Sequence, residues 1–377
     1  MRPEFQSLKT FALAAAALAC GYAAVPAQAA DPLLLGYQMP LSGDRSQYGE
    51  MFRNAAEIQL KAFNAAGGVN GVPVEIVYED SKNDPKEAIA IARKFADNPR
   101  ILGVLGDFSS TVSMAAGEVY AKAGVPQLSQ TASHPDYTKT SKWQFRNITT
   151  QAYEGPFVAR WMQGAGIKSV AIVAIQNDWG ISAAEEFAKA FKEQGGKVTA
   201  TEYFNPGTRD FRSILTKIGR QKPDAVYLCM FYEEGASALQ QAKQLGLPSA
   251  MFSTSSLYSP KLVELGGDAV NGVRMASTFV PENPAPEVQH FVEAYATNYG
   301  NAPNMFAAQA YDATGIMLAA LKAAGPQATR AQLRDALADT RAYPGVTGAT
   351  SFDPATREPA KELAKMVVEN GKFKVIE

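Results

Sequence analysis

The chain has 377 residues but only two histidines and two cysteines, and that scarcity limits its chemistry first. His134 lies between a serine and a proline and His290 stands far from it, so a histidine-based triad has little material. Histidine and cysteine do not cluster as a metal site needs. G-x-S-x-G and the phosphate-binding P-loop are both missing, and Gly164-Ala165-Gly166 follows a helical stretch rather than a strand, which makes it a poor dinucleotide turn. These gaps argue against an enzyme, and no cofactor or metal is expected. Excess charge is missing too. Thirty-six basic residues against 37 acidic ones leave a formal charge of -1, with no surface for nucleic acid. Beyond residue 30 no apolar run approaches a membrane span.

The start of the chain reads differently. Arg2 and Lys9 precede an almost wholly apolar stretch from Thr10 to Ala24, and Ala27-Gln28-Ala29 places small residues two apart. Residues 1–30 therefore read as a secretory signal cleaved near Ala29 or Ala30, which implies a periplasmic destination. Lipid attachment at Cys20 is the weaker alternative, because Ala17 stands where a large aliphatic residue is wanted. After cleavage Cys229 is left alone in an apolar run, so no internal disulfide can form and the thiol is expected to be inert core.

What the chain does have is an alternation that occurs twice. Leu33 to Pro40 is an apolar run of strand length, followed by a helix opening at Gly49 and a second strand at Val72 to Tyr78. Asp84-Pro85 starts the next helix as cap and first residue, and Ile101 to Leu105, Ser110 to Ala123 and Val125 to Ser129 complete the unit. From Val170 the order repeats, through a helix opened by Asn177-Asp178-Trp179-Gly180, a strand at Lys197 to Phe204, a helix capped by Asp210, and strands at Ala225 to Met230 and Met251 to Ser253. Alternating strands and helices imply an α/β fold of two Rossmann-like lobes, each a parallel sheet with helices on both faces. The elements after Gly272 are too few for a third domain and are expected to cross back, giving hinge strands near 147–151, 277–281 and 343–347. The expected lobes are 31–150 with 279–345, and 151–278 with 346–377.

Ligands of open parallel sheets bind beyond the carboxyl ends of the strands. There the two units offer matched loops: Tyr48-Gly49 with Trp179-Gly180, Phe108-Ser109-Ser110 with Phe231-Tyr232-Glu233, and Ser129 to Ser133 with Ser253 to Ser256. The first unit offers the hydroxyls of Ser109, Ser110, Thr131 and Ser133, and the second offers Trp179 and Tyr232 with Glu233 and Glu234 beside them. Hydroxyls and unpaired N–H groups at a helix start suit an anion, most simply a carboxylate. A serine there is more often only a cap, and adjacent acids at a helix start are usually solvated; it is the matching positions in two repeats that favour a ligand site.

These residues resemble the leucine/isoleucine/valine-binding family, the periplasmic receptors of ATP-driven amino acid importers with the type I periplasmic binding protein fold. The likeness is most specific in PLSGDRSQYGE (40–50), the stretch 65–95, Ser109-Ser110-Thr111, RNITTQAYEG (146–155) and NDWG (177–180). The resemblance implies hinge strands joining the lobes, and a monomer that hands a small carboxylate-bearing ligand to an inner-membrane permease. It also implies that Ser110, Thr131 and Ser133 hold the carboxylate, with Ala132 adding backbone, while Tyr48, Trp179 and Tyr232 wall the pocket. Ser255 lies in the loop where the family commonly carries an acid for the ligand ammonium; here it reads Ser253-Thr254-Ser255-Ser256. Either Glu233, Glu234 or Asp107 replaces that acid, or the ligand is an amide, urea or organic carboxylate without an α-ammonium. A ligand sensor of the same fold is the remaining rival.

Overall fold

The computed structural model describes residues 31–376; the expected signal segment and Cys20 lie outside them. In chain order the first part comprises β1 (Leu33–Met39), α1 (Ser46–Ala65), β2 (Val74–Asp80), α2 (Pro85–Asp97), β3 (Ile101–Leu105), α3 (Ser110–Ala123), β4 (Gln127–Ser129) and β5 (Gln144–Arg146). Its strands form one parallel sheet in the order β2-β1-β3-β4-β5. The chain then runs through α4 (Gln151–Gly164), β6 (Ser169–Ile175), α5 (Asp178–Glu193), β7 (Lys197–Phe204), α6 (Arg212–Gly219) and β8 (Ala225–Cys229). Next come α7 (Tyr232–Gln244), β9 (Ala250–Ser253), α8 (Pro260–Gly266) and β10 (Arg274–Ser277). After α9 (Pro286–Tyr299), α10 (Met305–Ala324) and α11 (Arg330–Ala338), it ends in β11 (Ala364–Glu369) and β12 (Lys372–Ile376).

The second sheet, read from its β7 edge, runs β7-β6-β8-β9-β10-β11-β12. Its first five strands repeat the order of the first sheet, so both lobes reverse strand order at the same place, between their first and third strands. A reversal of this kind opens a crevice at the strand ends. Helices α10 and α11 return to pack on α1 and β3, and β11 and β12 then return to the second sheet, so the chain passes between the halves three times.

Local chemistry accounts for several boundaries. Asp84 accepts from the N–H groups of Lys86 and Glu87 with Pro85 in the first turn of α2, and Asn177 accepts from the Gly180 N–H at the start of α5. Helix α1 begins at Ser46, earlier than Gly49, and α7 begins at Tyr232. The terminal hairpin lies within 346–377, the segment expected to return to the second lobe, and forms two strands there that were not anticipated. Asn370 and Gly371 both take positive φ, 51° and 71°, as a tight two-residue turn requires, and the antiparallel strands extend the second sheet.

The two matched glycines have matched reasons. A Cβ on Gly49 would stand 1.8 Å from the carbonyl oxygen of Pro40, and one on Gly180 would stand 2.2 Å from that of Ile175. Each helix thus sits directly on the end of the strand before it, which aims Tyr48 and Trp179 inward. Replacing either glycine by alanine is expected to cost roughly 1–3 kcal/mol or more in chemical denaturation, because backbone must move.

Candidate ligand site

The loops at the strand ends of the two lobes meet in a narrow cleft. Of the anticipated residues, Ser109, Ser110, Thr131, Ser133, Trp179 and Ser255 line it, together with Phe108, Ile148, Gln151, Phe231, Ser256, Met305 and Phe306.

The serines are not spent on capping. Ser109 is the N-cap of α3 yet its hydroxyl makes no cap bond and has no partner among the described residues. Ser110 Oγ accepts from the His134 N–H at 3.1 Å, which leaves its own hydrogen free. Ser133 Oγ accepts from Gln151 Nε2 at 3.0 Å and from Trp179 Nε1 at 3.1 Å, so its hydrogen is free as well. Beside them the first-turn N–H groups of α3 have no partner within the helix. This corner is a set of donors.

Thr131 behaves differently from its neighbours, since its hydroxyl donates to the Phe108 carbonyl at 2.6 Å and can only accept from a ligand. Ala132 does not offer backbone to the cavity. Its N–H donates to Ser129 Oγ at 3.0 Å and its carbonyl accepts from Arg146 Nη1 at 2.9 Å, so both polar groups are already used.

Tyr48, Tyr232 and Glu233, also anticipated, do not line the cavity. Tyr48 is fully buried beneath Phe108, ring centroids 4.1 Å apart, and its hydroxyl donates to the Ser256 carbonyl at 3.2 Å. Tyr232 packs on Tyr48 at 5.2 Å and donates to the Asp44 carbonyl at 3.2 Å, on the rim. Phe231 takes the wall position instead, stacked on Trp179 at 4.8 Å. Glu233 is claimed by Arg45, which also reaches Glu234 at 2.5 Å and lies 4.4 Å over the Phe231 ring. Asp107 is fully buried, accepting from Gln38 Nε2 at 3.0 Å and from the Phe108 N–H at 2.5 Å. None of the three acids offered as substitutes lines the cavity.

Nor do the lobes divide into a hydroxyl wall and an aromatic wall. Phe108 and Phe306 accompany the serines of the first lobe, while the second supplies Ser255 and Ser256. Phe108 and Phe231 were legible as the matched residues just after β3 and β8. Ile148, Gln151, Met305 and Phe306 come from the crossing segment and from the first turns of α4 and α10, outside the six loops.

The comparisons with known proteins agree with this architecture. A family model described as periplasmic binding protein matches residues 32–372. The chain belongs to the periplasmic binding protein family. A Pseudomonas aeruginosa leucine-, isoleucine-, valine-, threonine- and alanine-binding protein is 28% identical over 341 residues, 90% of each chain. A solved Rhodospirillum rubrum structure assigned as a branched-chain amino acid ABC transporter is 54% identical, covering 92% of this chain and all of that one, with a TM-score of 0.70. A branched-chain amino acid transporter substrate-binding protein from Streptococcus pneumoniae, in complex with isoleucine, is 26% identical with a TM-score of 0.85 over 92% of this chain and 99% of its own. The relatives are binding proteins of transporters, and the fold is the type I periplasmic binding protein fold.

The Arg45 cluster joins the lobes at the mouth of the cleft. Burial pushes the Glu233 carboxyl up to about 7, against the pull of Arg45, and the neighbouring Glu234 charge adds a smaller push in the same direction. If the open cleft leaves Glu233 near its ordinary value, closing takes up a proton between about pH 4.5 and about pH 7, so closure is favoured below that window and loses this contribution above it. Titration calorimetry is expected to show Arg45→Met weakening ligand binding by roughly 3 kcal/mol or more, since both acids are then buried without a cation. Glu233→Gln is expected to leave a neutral pair and no loss. The affinity of the native chain relative to that variant is expected to fall from about pH 5.5 to about pH 8.

Proposed function

We propose that this chain is the exported receptor of an ABC importer, binding one small carboxylate-bearing molecule with an apolar body and presenting the closed form to an inner-membrane permease as a monomer. Among such molecules, amino acids with branched or otherwise apolar side chains fit first. The observation that carries this reading is the donor corner. Spare hydrogens of Ser109, Ser110 and Ser133 converge at the N-terminus of α3, in a cleft otherwise walled by the rings of Phe108, Trp179, Phe231 and Phe306. An anionic end meets the donors, and an apolar body meets the rings.

Two further facts support closure around a ligand. The bonds from Tyr48 to Ser256, Trp179 to Ser133 and Tyr232 to Asp44 all cross between the lobes. A chain 54% identical over 92% of this one would superpose closely if the molecule were one rigid body, yet its TM-score of 0.70 is below the 0.85 of a structure 26% identical. Lobes that move relative to each other account for that inversion. The identities of the relatives support transport over sensing, and residues 1–30 support export by a cleaved signal.

The test is a thermal-shift screen of amino acids, amides, organic acids, sugars and nucleosides. Stabilisation by carboxylate-bearing compounds with apolar bodies is expected; stabilisation by sugars or nucleosides alone would refute the reading. Ser109→Ala is the cleanest variant, because its hydroxyl has no protein partner to orphan. It is expected to weaken binding by roughly 1.5–3 kcal/mol with the melting temperature of the ligand-free chain unchanged. Trp179 fluorescence is expected to change on titration with any ligand found, and a silent titration would place that ligand elsewhere.

A further inference from the structure

Away from the ligand cleft, a second cavity of about 650 Å³ opens where the chain crosses between the lobes. Its walls come from two of the three crossings, Ser277 to Asn283 after β10 and the passage from Val346 to the start of β11, and it shares no residue with the cleft.

The buried charge on these walls is Lys361, which is 5% exposed. A lysine taken out of water is costly unless a carboxylate meets it. Here the ammonium meets hydroxyls instead, Thr347 Oγ1 at 2.6 Å and Thr350 Oγ1 at 2.9 Å. Asp312 stands behind Thr347, and its oxygens are taken up by the N–H groups of Val346 and Thr347 and by the Thr347 hydroxyl. Its charge acts on the ammonium only from a distance, and burial pushes Lys361 down to about 8 in spite of it. Of the three ammonium N–H bonds, one has no partner among the described residues.

The surrounding wall is also made of donors. Thr278 Oγ1 accepts from Gln309 Nε2, so its own hydrogen is unspent. Asn283 uses its Oδ1 on the Ala285 N–H at 3.0 Å and keeps its Nδ2 hydrogens. A single chain of hydrogen bonds holds these groups in place: Lys361 donates to Thr350, Thr350 to Asn147, Asn147 to Gln309 and Gln309 to Thr278. That chain ties all three crossings together. Glu362 is the acid on the wall, and it is exposed at the rim.

We infer that the cavity between the crossings is a second binding site, for a small oxyanion of the phosphate or sulfate type, with Lys361 supplying the charge and Thr278 and Asn283 further donors. An anion there takes the third ammonium N–H and compensates a buried charge that hydroxyls alone do not, through a bond about twice as strong as a neutral one. An apolar occupant leaves those donors unpaired, and a cation meets the ammonium. The site is independent of the receptor reading, and neither falls with the other.

The test is titration calorimetry of inorganic phosphate and of sulfate into the native chain near neutral pH, at an ionic strength held constant with chloride. Binding of at least one of the two is expected. Lys361→Met is expected to weaken it roughly ten- to hundredfold. Ala349→Glu adds an acid to the wall at an exposed position and leaves the buried bonds alone, and it is expected to weaken binding roughly tenfold. A native chain that binds neither anion would overturn the inference. Full affinity in Ala349→Glu would overturn it as well, the anion then lying in the ligand cleft if Ser109→Ala abolishes binding and elsewhere on the surface if it does not. A folded Lys361→Met that keeps full affinity counts equally against it, and if that variant does not fold, Ala349→Glu decides alone.

Discussion

The structure depends on one constraint: closing the cleft takes charged and polar groups out of water, and something must compensate them. Arg45, Glu233 and Glu234 become buried at its mouth, Glu154 at its floor, and the free hydroxyl hydrogens of three serines within. The gains from closure are the meeting of Tyr48 and Phe108 with Phe231 and Tyr232, ring contacts that run across the lobes, and the cross-lobe hydrogen bonds. Aromatic burial is favourable, but an empty polar cavity and a guanidinium shared by two carboxylates oppose it. On the proposed reading, a ligand that is anionic at the donors and apolar at the rings tips that balance. Closure is then conditional on occupancy, which is what a receptor needs if only its loaded form is to be handed on.

The fold makes this arrangement possible through repetition. Both lobes reverse strand order between their first and third strands, so both present the same three loops, and three passes of the chain between them hold those loops opposite each other. Gly49 and Gly180, each pressed against the carbonyl at the end of a strand, show how closely the repeat is kept where it matters. Yet corresponding positions have taken different tasks. Ser110 offers a hydroxyl where the second lobe has Glu233, which is turned to the latch with Arg45, and the hydroxyl loop 129–133 is matched by one fixed from below by Glu154.

Much of this was legible in the sequence. The twofold alternation and its loops carried the fold class, and the hydroxyls at 109, 110, 131 and 133 were visible because capping chemistry and anion chemistry draw on the same residues. What stayed hidden has physical reasons. Whether Tyr48 or Phe108 faces the cavity depends on which ring stacks over the other, a tertiary matter that periodicity does not encode. That Glu233 answers Arg45, some 190 positions earlier, is a contact across the closed cleft. Gln151 and Phe306 belong to the crossing segments and so escaped a scheme built on strand ends. The Asn370-Gly371 hairpin, by contrast, has a readable turn signal within the segment expected in the second lobe, although its two strands were not anticipated.

Small-angle X-ray scattering of the native chain tests conditional closure most directly, without ligand and then saturated with the compound that raises its melting temperature most. The account predicts a smaller radius of gyration and a loaded profile that matches the closed structure, with the ligand-free profile more open. Identical profiles in the two states would contradict it.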